Sequence, residues 1–147
     1  MKIGIASDHR GFELKQKLRD SLAKLNYEVD DYGTFSEDSV DYPDFGIKLG
    51  EEVASKNDDF GIAICGSGIG ISIACNKVKG IRCAKVSNEL EAKYTRNDND
   101  ANIVALSSEV PFEKALEIVK VFINTPFSKE ERHQRRIEKL IKYEEEK

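Results

Sequence analysis

Between Phe60 and Lys77 the chain reads FGIAICGSGIGISIACNK: an apolar run ends on a cysteine, opens into a glycine-serine-glycine turn and returns to an apolar segment. No other stretch so limits what the chain can fold into. Ile62, Ala63 and Ile64 lie between Gly61 and Gly66, and their length and β-branched character suit a strand buried on both faces of a parallel sheet. Gly66, Gly68 and Gly70 have no side chain to keep backbone N–H groups from a ligand. The helix they open adds unpaired N–H groups and the positive end of its dipole. The order is therefore strand, anion cradle, helix. Cys65 stands at the lip of the cradle, where those N–H groups would favour thiolate over thiol, which makes it a candidate nucleophile or general base beside an oxyanion site.

The spacing is G-x-G-x-G. It is neither the G-x-G-x-x-G of a dinucleotide site nor a P-loop, since no Lys-Ser or Lys-Thr pair follows. The same residues also suit a tight strand-to-helix turn with a buried, inert Cys65, because free cysteine is among the most buried residue types. The loop alone does not choose between these readings.

At 147 residues the chain is expected to form one domain, 1–147. A mixture of 39% hydrophobic and 34% charged residues, with no apolar run of membrane-spanning length, excludes a membrane protein. Met1 to Ile5 run directly into a strand without a separate apolar signal region, so a cytoplasmic location is expected. Cys65, Cys75 and Cys83 are an odd number without a C-x-x-C pair, which argues against disulfides and structural zinc. His9 and His133 are the only histidines and no H-E-x-x-H pattern occurs, so no transition-metal centre is expected; no cofactor is expected either. A net charge of -4 disfavours nucleic-acid partners but leaves room for a local anion site.

In chain order, Lys2 to Ala6 reads as a strand, and Leu14, Leu18, Leu22 and Leu25 form the apolar stripe of the helix that follows. Asp8 and His9 fall just beyond that strand, where open α/β sheets place ligands; Asp8 also suits a helix cap and His9 a surface position. Tyr27 to Tyr32 is a second strand, and a polar loop leads to a helix over Phe45 to Lys56 with Pro43 near its start and Asp41 as its cap. Tyr42 could present its ring and hydroxyl to the cradle. Ile81 to Val86 reads as the fourth strand, with Cys75 and Cys83 as core. Ser87 is the expected cap of a helix from Asn88 to Arg96 that stops in the polar turn Asn97 to Asp100. Ile103 to Leu106 is the fifth strand, Phe112 to Ile123 a helix, and Ser128 the start of the last helix. On it Arg132 and Arg136 share a face, with His133 and Arg135 beside them; two guanidinium groups so placed can clamp a phosphate or form a solvated basic face. This alternation predicts a three-layer α/β/α fold: a five-stranded, mainly parallel, Rossmann-like sheet with an additional C-terminal helix.

Six segments carry a family resemblance: Ser7-Asp8-His9, Asp41-Tyr42-Pro43, Cys65 to Gly70, Ala74 to Lys77 with Gly80-Ile81-Arg82, Asn99 to Asn102, and Arg132 to Arg136. Together they resemble the ribose-5-phosphate isomerase B family, which includes the galactose-6-phosphate isomerase subunits. The resemblance implies a metal-free aldose–ketose isomerisation of a five-carbon sugar phosphate through a cis-enediolate, within the pentose phosphate pathway. By resemblance, Cys65 is the base, and Ser67 with the backbone of Gly66, Ser67, Gly68, Ile69 and Gly70 is the oxyanion cradle. His9, Arg132 and Arg136 match phosphate-holding positions, and Asp8 and Asn99 match groups that bind sugar oxygens. Ile71 stands where one branch of the family has a catalytic glutamate, which puts this chain with the cysteine type. The family also implies a homodimer, or a dimer of dimers, with active sites shared between subunits.

Two positions depart from the pattern. Asp98 stands where most members have the histidine that opens the furanose ring, and an ordinary carboxyl is poorly matched to returning a proton at pH 7. Glu109 stands where many members have an arginine that assists the phosphate. These departures keep two alternatives open: isomerisation of a six-carbon substrate such as allose or galactose 6-phosphate, and sugar-phosphate binding without turnover.

Overall fold

The computed structural model describes residues 1–147. Five strands, β1 (Lys2–Ser7), β2 (Glu28–Asp31), β3 (Phe60–Cys65), β4 (Cys83–Lys85) and β5 (Ile103–Ser107), pair in parallel in the order β2-β1-β3-β5-β4. The helices are α1 (Phe12–Lys24), α2 (Tyr42–Ala54), α3 (Ile69–Asn76), α4 (Glu89–Asn99), α5 (Phe112–Asn124) and α6 (Glu131–Glu145).

The two faces of the sheet differ in side-chain size. Ile3, Ile5, Ile62, Ile64, Val104 and Leu106 point to one face and form a core with Leu14, Leu18 and Leu22 of α1 and Ala115, Ile118, Val119 and Phe122 of α5. Burying each of these larger side chains contributes about 1.5–3 kcal/mol. The intervening residues Ala6, Ala63, Cys65 and Ala105 belong to the opposite core, with Leu49 and Val53 of α2 and Ile71 and Cys75 of α3. This period-two alternation along strands buried on both sides yields the three expected layers.

Several boundaries differ from the sequence reading. Helix α2 begins at Tyr42, and Asp41 occupies its cap position without a side-chain cap bond. The cap of α4 is Asn88: its side-chain oxygen accepts the Glu91 N–H at 2.8 Å, while the Glu91 carboxylate accepts the Ser87 N–H at 2.7 Å. The expected turn at Asn97 to Asp100 is mostly the last turn of α4, which ends at Asp100 in the left-handed region with φ of 48°. Buried Arg96 explains the extension, because it fastens this end to Asp100 at 2.8 Å, to the Ala101 carbonyl at 2.7 Å and to the Thr125 carbonyl at 3.1 Å. Helix α6 starts at Glu131, since Ser128 is held in the preceding loop with its N–H on the Asn97 carbonyl. Cys83 is half-buried rather than core, and its neighbour Cys75, with burial, pushes its thiol well above the usual range.

A partly buried polar cluster with Asp58 at its centre lies beside β1. The Tyr32 hydroxyl donates to Asp58 Oδ2 at 2.5 Å and stands 3.3 Å from Asp30, whose other neighbour is Lys2 at 3.4 Å. Burial and the adjacent Asp30 push the Asp58 carboxyl up to about 6, while its bond to Asp58 holds Asp30 below the usual carboxylate range. Burial raises Tyr32 above its usual range, as does its bond to Asp58.

Candidate active site

Strands β1 and β3 are neighbours, with Ser7 opposite Ile64, so the loops leaving their carboxyl ends lie side by side. The first loop carries Asp8 and His9. Buried Asp8 uses Oδ1 to accept the N–H groups of Arg10 at 3.0 Å and Gly11 at 3.1 Å, which fixes the turn into α1 and leaves Oδ2 for a ligand. His9 accepts the Val40 N–H on Nδ1 at 3.2 Å, so in the neutral ring the proton is on Nε2.

The second loop is the cradle. Its carbonyls are tied down by the end of β5, where the Ser107 hydroxyl donates to Gly66 O at 2.7 Å and the Ser108 N–H donates to Cys65 O at 2.9 Å. The N–H groups of Ser67 and Gly68 have no acceptor within the chain, and they precede the open first turn of α3. Ile69 differs: its N–H is already taken by the exposed Ser67 hydroxyl at 3.1 Å. Gly68 has φ of 78°, and a Cβ there would stand 2.8 Å from the Leu106 carbonyl carbon, so only glycine fits without strain. At Gly70 a Cβ would stand 2.8 Å from the Tyr42 ring, so Tyr42 forms a wall of the cradle. Cys65 is 4% exposed at the root of the loop and belongs to the core beneath α2 and α3.

The remaining sequence candidates lie elsewhere. Helix α4 runs back from the carboxyl end of the sheet to the start of β5, so Asp98 and Asn99 in its last turn sit at the amino end. Arg82, just before β4, marks that end by donating to the Asn99 carbonyl at 2.9 Å. Cys65 ends a six-residue strand, and a strand of that length spans about 20 Å. Helix α6 packs on α4 and brings its basic residues to the same end. His133 is buried, with Nε2 3.5 Å from Asp98 Oδ1 and 3.4 Å from Glu130 Oε2. Arg132 pairs with Glu130 at 2.7 Å, and exposed Arg136 meets no carboxylate within the chain. A cavity of about 670 Å³ also lies at this end, among Arg82, Thr95, Asn99, Leu140 and Tyr143.

The structure thus sorts the candidates into two groups. Asp8, His9, Tyr42, Cys65 and Gly66 to Gly70 converge at the carboxyl end, whereas Asp98, Asn99, Arg132 and Arg136 gather at the other with His133. Two neighbours were missed in the sequence. His133 sits in the quoted basic motif, yet only the packing of α6 on α4 reveals its approach to Asp98. Arg10 lies over Gly66, where a Cβ would stand 2.5 Å from Nη1, and its Nη2 is 3.9 Å from Glu109 Oε1. Its signal was a basic residue immediately after Asp8 and His9. Glu109 therefore borders the cradle, with its charge directed at Arg10.

Residues 3–140 match the family model described as Ribose/Galactose Isomerase. The chain belongs to this family. It is 40% identical over 146 residues to the ribose-5-phosphate isomerase B of Mycolicibacterium paratuberculosis, covering 98% of this chain and 92% of that one. The solved ribose-5-phosphate isomerase B of Clostridium thermocellum is 49% identical, with a TM-score of 0.96 and 99% of each chain covered. The Mycoplasma genitalium enzyme, solved with bound ribulose-5-phosphate, is 39% identical with a TM-score of 0.94, covering 99% of this chain and 97% of that one. No helix is long and apolar enough to cross a membrane.

Proposed function

We propose that this protein interconverts ribose 5-phosphate and ribulose 5-phosphate. The observation that carries the reading is the likeness, over nearly the whole chain, to a relative solved with ribulose-5-phosphate bound, combined with a cradle whose N–H groups are unpartnered. The bound five-carbon ligand favours this substrate over the six-carbon alternative.

In this reading Cys65, as thiolate, takes the C2 proton of the open-chain aldose. The resulting thiol returns that proton to C1, while the hydroxyl proton passes from O2 to O1. Negative charge on the enediolate oxygens is met by the N–H groups of Ser67, Gly68 and the first turn of α3, and Ser67 and Tyr42 border the same space. His9 offers Nε2–H to the phosphate and Asp8 offers Oδ2 to a sugar hydroxyl. Ile71, buried in the core, offers no carboxylate at its own position to serve as base.

Asp98, Asn99, Arg132 and Arg136 cannot reach the same substrate from the far end of the sheet, so these residues act on the cradle of a second copy. That surface is available: Ile47, Ile69 and Ile73 remain 40%, 55% and 54% exposed on α2 and α3 beside the cradle, apolar area that a partner would cover. Asp98 would take the anomeric proton in ring opening, with His133 Nε2 behind it at 3.5 Å from Oδ1. The three unpaired thiols fit a reducing compartment such as the cytoplasm.

A coupled assay of the purified protein with ribose 5-phosphate in chelator tests the reading. Turnover is expected, exceeding that on allose or galactose 6-phosphate. Binding of sugar phosphates without exchange of the C2 hydrogen with solvent would instead mean a protein that has lost catalysis.

A further inference from the structure

Arg10 carries chemistry that the isomerase reading has not used. Its backbone N–H is committed to Asp8, but its guanidinium donates no hydrogen bond within the chain. The group lies against the backbone of Gly66, so close that a Cβ there would stand 2.5 Å from Nη1, 2.6 Å from Cζ and 2.9 Å from Nε. It makes no hydrogen bond to the Gly66 carbonyl, whose oxygen accepts the Ser107 hydroxyl at 2.7 Å. Its charged neighbour is Glu109 at 3.9 Å, beyond hydrogen-bond range, and the two side chains are 59% and 79% exposed. Glu13 and Lys17, farther along the same depression, pair with each other at 3.5 Å. A planar fork of five donors therefore stands at the cradle mouth, next in sequence to His9, with its donors open.

We infer that Arg10 is a specificity-determining contact for the anionic end of the substrate, and that Glu109 holds its guanidinium at the mouth of the cradle until an anion displaces the carboxylate. The inference rests on the sugar-phosphate reading of the cradle. It assigns Glu109 a role as competitor for Arg10 rather than as a direct repeller of the substrate. An exposed pair of this kind is weakly coupled, so a phosphate dianion can replace the carboxylate.

Steady-state kinetics of Arg10→Ala and Glu109→Gln, singly and together, test this beside calorimetric titration with inorganic phosphate. Arg10→Ala is expected to raise KM by about tenfold with little change in kcat, the pattern of lost ground-state binding, and to weaken phosphate binding in parallel. Glu109→Gln should lower KM in the wild-type background and leave it unchanged in the Arg10→Ala background. Because both side chains are exposed, melting temperatures serve as a control for folding. Unchanged KM and phosphate affinity in Arg10→Ala would overturn the inference, and so would an equal Glu109→Gln effect without Arg10. Should the wild-type protein not isomerise ribose 5-phosphate, the functional reading fails while the phosphate titration still decides on Arg10.

Discussion

The two ends of the sheet present candidate residues in different ways. At the carboxyl end the chemistry is made of backbone: Gly68 is locked against Leu106, the carbonyls of Cys65 and Gly66 are tied to Ser107 and Ser108, and the N–H groups are left open. At the amino end it is made of long side chains on two helices, with Arg136 and Asn99 exposed and Arg132 held only by Glu130. The first region is organised by its own chain. The second leaves Asn99, Arg132 and Arg136 exposed on the surface of its own chain. The difference teaches that an anion cradle can be fixed by the backbone of one chain alone, while the exposed side chains at the other end are, in the proposed reading, the part that serves a neighbouring copy.

Substitutions should separate the two regions by the kind of defect they cause. Cys65→Ala removes the proposed base, so kcat is expected to fall by about 10²–10⁴-fold, with sugar-phosphate binding retained in calorimetry. Near-normal turnover in that variant would return Cys65 to a purely structural role. Arg136→Ala should act on binding instead. Charge-assisted contacts contribute about 1.5–3 kcal/mol, so KM should rise roughly tenfold or more, and an unchanged KM would mean that this face of α6 meets only solvent.

Asp98→His sharpens the comparison within the second region. In the proposed mechanism ring opening precedes proton transfer at Cys65, so the variant should raise initial kcat on cyclic ribose 5-phosphate a few-fold more than on acyclic ribulose 5-phosphate. Equal effects in both directions would show that His133 and Asp98 already open the ring efficiently, or that another group does so. The smallest effect is expected from Asp58, which lies in neither region. Its folded value, about 6, is above its ordinary value of 3.8, so its contribution to stability is full below about pH 4 and is lost as the pH rises through 6. Asp58→Asn should remove that loss and flatten the fall in melting temperature between about pH 4 and pH 6; each 1 kcal/mol corresponds to about 2–4 °C in a chain of this size. A steeper fall in the variant would contradict the assignment, and turnover should not follow this titration.

Where the strands would form was readable because β3 combines a buried apolar run with flanking glycines, and the stripe of Leu14, Leu18 and Leu22 can serve only a helix packed on a sheet. The cradle was legible for the same reason: Gly66, Gly68 and Gly70 are local, and their consequences for N–H exposure are local. What sequence could not supply depended on tertiary contacts. The end of α4 was misjudged because buried Arg96, not the polar turn residues, sets where that helix stops. The cluster of Tyr32, Asp30 and Asp58 brings Asp58 to residues far from it in the chain, and no local pattern foretells that meeting. An arginine in a turn is ordinarily a solvated charge, and only the position over Gly66 gives Arg10 meaning. The separation of Cys65 from Arg132 and Arg136 followed from the direction of α4, once the sheet was seen to be parallel throughout.

The central claim, that each active site joins the cradle of one chain to α4 and α6 of another, can be tested by mixing two inactive proteins. Cys65→Ala would be unfolded and refolded together with an equal amount of the double variant Arg132→Ala, Arg136→Ala. If the sites are shared, each mixed dimer carries one site with both defects and one with none, and random pairing restores about a quarter of wild-type activity at subsaturating ribose 5-phosphate. Recovery of no activity beyond that of the separate variants, with mixed dimers demonstrated by differential tagging, would mean that every site is built from a single chain.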